Sequence, residues 1–211
     1  MELLTEGLQA YLEQHCEPEP ELLGYINRET RLKVLMPRMV SGHYQGRVLT
    51  FLSKIITPYR ILEVGTFTGY ATLCLAEGLA ADGIIYTIDI NEELEERVRG
   101  YFGSSAYEDK IDYRIGNAIE VIPQIDEVFD LVFIDADKKN NSTYYDLIFD
   151  KVRKGGLIII DNVLWSGKVT LGVNDKDTEN IRGFNEKVRT DKRVEKLILP
   201  VRDGLFIIRK L

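Results

Sequence analysis

Apolar positions along this chain change period near residue 57. Before that point they recur at helical spacing. Leu4, Leu8, Tyr11 and Leu12 share one face, and a second helix is expected from about Pro20 to Leu35. Pro37 ends it, because the residue before a proline is pushed out of helical geometry. Met39 to His43 reads as a loop. A third helix follows with Val48, Leu49, Leu52, Ile55 and Ile56 as its apolar face. From Tyr59 onward, short apolar runs alternate with helical segments. The runs are Ile61–Val64, Ile84–Ile88, a weaker Ile111–Ile115, Leu131–Ile134 and Leu157–Ile160. The helical segments are Tyr70–Leu79, Glu92–Ser104 and Asn140–Val152. Runs that are apolar at every position are covered on both faces, which predicts a parallel sheet between two helical layers. Val194–Leu199 and Leu205–Arg209 are joined by five residues, too few for a crossover, so this last pair must be antiparallel. The expected fold is a doubly wound α/β sheet of Rossmann-like type, mostly parallel, closed by a C-terminal antiparallel hairpin and preceded by extra helices. One domain is expected over 1–211, with a helical arm at 1–57 and the α/β core at 58–211. The polar segment Gly167–Asp177 reads as a mobile loop.

Charge and composition narrow the function. The net charge of -7 and pI near 5.0 disfavour a domain-wide polyanion-binding surface. Cys16 and Cys74 have no metal or redox spacing, and nothing asks for a disulfide. The N-terminus lacks a basic-then-apolar leader, and no stretch reaches the roughly 20 apolar residues that span a bilayer. A cytoplasmic protein with no membrane partner is expected.

Ligands of open α/β sheets bind outside the carboxyl ends of the strands. The first strand there runs into Glu63-Val64-Gly65-Thr66-Phe67-Thr68-Gly69-Tyr70. The glycines permit a sharp turn and close approach of a ligand, and the following helix presents free N–H groups to it. By themselves Gly65 and Gly69 can equally shape a tight turn. Asp89 ends the second strand, where a carboxylate can accept both hydroxyls of a ribose. Phe67 stands where the dinucleotide fingerprint needs its middle glycine, which argues against a nicotinamide cofactor. Glu63 can instead engage an amino-acid-bearing nucleotide.

Two further strand ends carry acids. Asp135 and Asp137 follow the fourth strand, and Asp161-Asn162 follow the fifth. Each alone can cap a helix. Together, at neighbouring strand ends, two carboxylates and an amide carbonyl make a hard oxygen set suited to Mg²⁺, Mn²⁺ or Ca²⁺. Lys138 beside such a cation is expected to have a lowered pKa and to serve as a base. Trp165 reads as a substrate wall or as core. His43 and His15 lack a partner at metal spacing, and His43 is at most a substrate contact.

The ordered set Met39-Val40-Ser41-Gly42-His43-Tyr44-Gln45-Gly46, Ile61 to Tyr70, Ile134-Asp135-Ala136-Asp137-Lys138, Asp161-Asn162-Val163-Leu164-Trp165 and Asp203-Gly204 resembles the cation-dependent O-methyltransferases typified by caffeoyl-CoA and catechol O-methyltransferases. The resemblance runs from about Pro37 to the end. It implies S-adenosylmethionine (SAM) as cofactor, bound by Glu63, Gly65, Thr66 and Asp89, with Asp89 on the ribose. Met39 and Ser41 would close over the methionine end, Ala118 would lie by the adenine and Asp137 would reach the amino group. It implies a divalent metal on Asp135, Asp161 and Asn162, Lys138 as general base, and a homodimer. Many members carry serine where this chain has Ala71, and Thr72 or backbone N–H groups are expected to substitute.

The reaction expected from this set is methyl transfer to one hydroxyl of a catechol-like small molecule whose two oxygens bind the metal. Three rivals remain at this level. A tRNA 5-hydroxyuridine O-methyltransferase is left open by Arg28, Arg31, Lys33, Arg38 and Arg47 in the N-terminal arm. A nicotinamide oxidoreductase and a non-catalytic nucleotide-binding protein are disfavoured, by Phe67 and by the acidic cluster with Lys138 respectively.

Overall fold

The computed structural model describes residues 5–211. Leu4, expected on the first helix, lies outside them. Helix α1 (Glu6–Gln14) starts at Thr5, whose side chain accepts from the Leu8 N–H. Helix α2 (Glu21–Lys33) stops two residues short of the expected end, and Met36, before Pro37, takes a left-handed conformation. Pro37–Met39 form a short 3-10 turn, and α3 (Gly42–Ile56) begins inside the expected loop.

The core follows as β1 (Arg60–Val64), α4 (Tyr70–Ala76), β2 (Ile84–Asp89), α5 (Glu95–Gly103), β3 (Ile111–Ile115), α6 (Ala118–Val121), β4 (Phe129–Ile134), α7 (Asn141–Phe149), β5 (Val152–Ile160), α8 (Lys176–Thr190), β6 (Val194–Leu199) and β7 (Leu205–Lys210). The seven strands form one sheet in the order β3-β2-β1-β4-β5-β7-β6. The pairs among β1 to β5 are parallel, and β7 is antiparallel to both β5 and β6. This is the expected doubly wound sheet with its closing hairpin.

Successive side chains of a strand point to opposite faces, and each face of this sheet has its own apolar layer. Leu62, Val64, Val132, Ile134, Ile158 and Ile160 pack with Ile148, Phe184 and Val188 of α7 and α8. Ile61, Leu131, Phe133 and Ile159 pack on the other face with Leu49, Leu73, Val98 and Phe102 of α3, α4 and α5. That double covering is why the central strands are apolar on both faces over most of their length.

Two helices were not expected. Helix α6 is a single turn capped by Asn117, whose side chain accepts from the Ile119 N–H. Helix α8 is capped by Asp175, which accepts from the Thr178 N–H and hydroxyl. The segment Gly167–Asp177, expected to be a mobile loop, is held in place. Arg182 of α8 donates to the carbonyls of Lys168, Val169, Leu171 and Val173. Among the described residues no helix is long and apolar enough to cross a membrane.

Candidate active site

The strand order reverses direction between β1 and β4, so their carboxyl ends open a crevice. Gly65 and Asp135 sit on its two sides. The Asp135 N–H donates to the Val64 carbonyl at 2.8 Å, and a Cβ on Gly65 would lie 2.3 Å from the Asp135 carbonyl oxygen. Gly65 also has φ +101, which disfavours any side chain. A cleft there is lined by Met39, Val40, Ser41, Gly65, Thr66, Phe67, Thr68, Tyr70, Ala71 and Asp135. The N-terminal arm therefore supplies one wall. Arg202, on the hairpin between β6 and β7, straps that wall down by donating to the carbonyls of Arg38 at 2.9 Å and of Val40 and Ser41 at 2.7 Å.

The remaining expected residues follow the same sheet edge. Asp89, half-buried at the end of β2, accepts from the Phe67 N–H at 2.6 Å and the Asn91 N–H at 2.8 Å, so it shapes the glycine turn beside it. Ala118 starts α6 next door, where the Gly116 N–H donates to the Asp89 carbonyl at 2.8 Å. Asp137 is exposed and accepts from the Tyr144 hydroxyl at 2.6 Å and the Asn140 amide at 2.7 Å. Glu63 is fully buried behind the turn rather than on the cleft wall. Its Oε2 accepts from the hydroxyls of Thr72 and Thr87, and its Oε1 is buried without a partner among the described residues. Burial pushes its pKa up to about 8, against the lowering effect of the two hydroxyls. Thr72 is thereby committed to Glu63 and fully buried. It does not take the place of a serine at Ala71, contrary to expectation, because it faces the helix–sheet interface while Ala71 faces the cleft.

The acidic residues converge as the register requires. Ile134 pairs with Ile160, so Asp135 and Asp161 emerge side by side. Asp161 is 3 % exposed. Its Oδ1 accepts from the Asn162 N–H at 2.6 Å and its Oδ2 from Gln45 Nε2 at 2.6 Å. Burial first, and then the Asp135 charge, raise its pKa to about 7. Asn162 is half-buried with φ +65, a left-handed turn that asparagine tolerates. Lys138 Nζ lies 2.8 Å from Asp135 Oδ1, with both side chains mostly buried. Among the described residues no three His, Cys, Asp or Glu side chains form a metal cluster. The set here is two mostly buried carboxylates and one amide, hard oxygen donors whose charge Lys138 offsets only in part, and its chemistry fits a hard divalent cation.

His43 is drawn away from the cleft by a 2.7 Å contact between Nε2 and the Glu17 carbonyl. Trp165 is half-buried, with φ +48 and its indole N–H buried without a partner. A larger groove of about 540 Å³ between α8 and the β6 edge shares no residue with this site. Gln45 and Arg202 are the residues that sequence reasoning missed. They touch the site from 116 and more than 160 positions away, and no spacing rule reaches that far.

A doubly wound sheet with a glycine turn and acids at its switch point defines a class of α/β proteins that bind a nucleotide-type cofactor at the strand tips. The family model described as O-methyltransferase matches residues 13–211. The chain belongs to the O-methyltransferase family. It is 34% identical over 223 residues to a caffeoyl-CoA O-methyltransferase of Eucalyptus gunnii, covering 99% of this chain and 89% of the relative. Among solved structures it resembles an O-methyltransferase from Bacillus cereus in complex with SAH, with TM-score 0.89, 30% identity and 97% of each chain covered. It also resembles an SAH-bound methyltransferase from Podospora anserina, with TM-score 0.90, 26% identity, and 98% of this chain and 94% of that one covered.

Proposed function

We propose that this chain is a SAM-dependent O-methyltransferase that acts on a small catechol-like acceptor with the help of a divalent cation. The observation that carries the reading is the convergence of Asp135 and Asp161 at paired strand tips beside the Gly65 cleft. The SAH-bound relatives support the cofactor, and the caffeoyl-CoA relative supports the acceptor class.

Gly65 lets the cofactor approach the backbone, while Met39, Val40 and Ser41 cover it and Asp89 receives its ribose. Asp135, Asp161 and Asn162 would hold the cation. A divalent cation bound there makes a vicinal hydroxyl more acidic and orients it. Lys138, beside Asp135, would take the hydroxyl proton at Nζ when its amine is neutral. Bound SAM would supply the methyl group, and the cleft would hold it and the acceptor oxygen together, an effect worth several kcal/mol, on the order of the proximity effect.

Little supports the tRNA reading. Arg47 pairs with Glu77 at 2.6 Å and Lys33 with Glu29 at 2.6 Å, so two of the five basic residues that left it open are committed within the protein. The test is methyl transfer to a catechol, a hydroxycinnamoyl thioester and hypomodified tRNA, with and without chelator, for wild type and Asp161→Ala. The expected result is metal-dependent transfer to the small acceptors, lost in the variant. Full activity of Asp161→Ala in chelator would refute the cation's role, and transfer to tRNA alone would refute the acceptor class.

A further inference from the structure

Helix α3 reaches into the acidic site through one side chain. Gln45 is 1 % exposed, and its Nε2 donates to Asp161 Oδ2 at 2.6 Å. The other carboxylate oxygen accepts from the Asn162 N–H at 2.6 Å. One donor thus sits on each oxygen, one from the loop after β5 and one from the N-terminal arm. Two such bonds fix the plane of a carboxylate, while each oxygen keeps a further lone pair.

The second polar atom of Gln45 is the informative one. Oε1 is buried and has no partner among the described residues. An unpaired buried acceptor carries an uncompensated desolvation cost, which an apolar side chain of the same length would avoid. A helix that only needed to pack on the sheet gains nothing from an amide here. An amide that must both steer a carboxylate and offer an acceptor to an incoming donor explains both atoms.

We propose that Gln45 is a positioning residue for the cation site: it holds Asp161 in its ligating orientation and offers Oε1 to a donor that arrives with the cation. The proposal rests on reading Asp135, Asp161 and Asn162 as the ligands. It also makes the N-terminal arm part of the metal site, because Gln45 lies on α3 just after the cleft-wall residues Met39, Val40 and Ser41. Groups that support metal ligands in this way are typically worth about 10 to 100-fold in metal affinity.

The test is Mn²⁺ binding to the full chain, measured by calorimetry and by the spin-resonance signal of free Mn²⁺. Gln45→Met keeps the length of the side chain and removes both polar atoms. It is expected to weaken Mn²⁺ by about 10 to 100-fold. SAH affinity should stay within about twofold, and the variant should still unfold cooperatively in chelator, since the lost donor to Asp161 and the removed unpaired acceptor act on stability in opposite directions. Gln45→Asn keeps an amide but falls one methylene short of Asp161, and the same weakening is expected. Mn²⁺ affinity within about twofold of wild type in either folded variant overturns the proposal, the expected loss being at least tenfold. Asp161→Ala separates the two layers of the argument. If it binds Mn²⁺ like wild type, the ligand assignment has failed. If it abolishes binding while the Gln45 variants do not change it, only the role of Gln45 has failed.

Discussion

Glu63→Gln is expected to flatten the pH dependence of stability. Glu63 has no solvent exposure, and burial raises its pKa from 4.5 to about 8. A folded-state pKa above the unfolded value means that the folded protein binds the proton more tightly. The stability this contributes is fully present below pH 4.5, declines as pH rises and is gone above about pH 8. At about 1.4 kcal/mol per pH step between those limits, the total is about 5 kcal/mol. The neutral acid and glutamine are close equivalents here. Each leaves one oxygen for the hydroxyls of Thr72 and Thr87 and puts hydrogen where Oε1 now lacks a partner. The variant should therefore match wild type near pH 5 and become more stable than it by several kcal/mol near pH 8, on the scale just given. Asp161 titrates in the same range, but it does so in both proteins, and the comparison subtracts it. The assay is urea unfolding from pH 5 to 9 in chelator without cofactor. Parallel stability curves for the two proteins would show that Glu63 is charged in the fold and that the burial argument is wrong.

The other perturbations probe the cleft and the chemistry. Gly65→Ala places a Cβ 2.3 Å from the Asp135 carbonyl at φ +101, so it should cost about 1–3 kcal/mol of backbone strain and abolish measurable SAH binding; retained binding in calorimetry contradicts the close approach. Arg202→Ala frees the carbonyls of Arg38, Val40 and Ser41, and SAH dissociation should rise about tenfold, for roughly one lost charge-assisted bond. Faster amide exchange confined to the arm wall should accompany it, and unchanged SAH affinity tells against the strap. Lys138→Met should lower kcat by about 10² to 10⁴-fold while leaving SAH and Mn²⁺ affinities near wild type; an unchanged kcat removes Lys138 from the proton transfer.

The fold was legible wherever burial alone dictates residue type. The central strands β1, β4 and β5 are apolar on both faces because two helical layers cover them, and their parallel pairing follows from that pattern. The closing hairpin was legible from the length of its connection. Helix α8 escaped because the polar stretch before it drew attention to a loop, although Asp175 followed by Ile181, Phe184 and Val188 is a readable cap and apolar face. Helix α6 is too short for periodicity to register. The rigidity of the stretch after Trp165 was not legible at all, since it comes from one arginine, Arg182, that lies on the next helix.

The site divides along the same physical line. Residues that stand at strand tips are placed by the sheet itself, so the position of Gly65, Asp89, Asp135 and Asp161 along one sheet edge could be read from the order of the strands. Glu63 is one residue from a strand end, and that single step in a period of two moves it from the cleft to the interior, where it braces Thr72 and Thr87. Sequence position near a motif therefore does not decide which side of the backbone a carboxylate occupies. Contacts that join separate elements follow from packing rather than from pattern. Gln45 on Asp161 and Arg202 on the arm carbonyls both couple the N-terminal helices to the sheet edge. An arm tied to a carboxylate at one point and to a hairpin at another cannot shift without disturbing the cleft between them. The cleft's affinity should then depend on the arm as well as on the glycine turn, which the Arg202 variant measures, while the Gln45 variants report on the cation site.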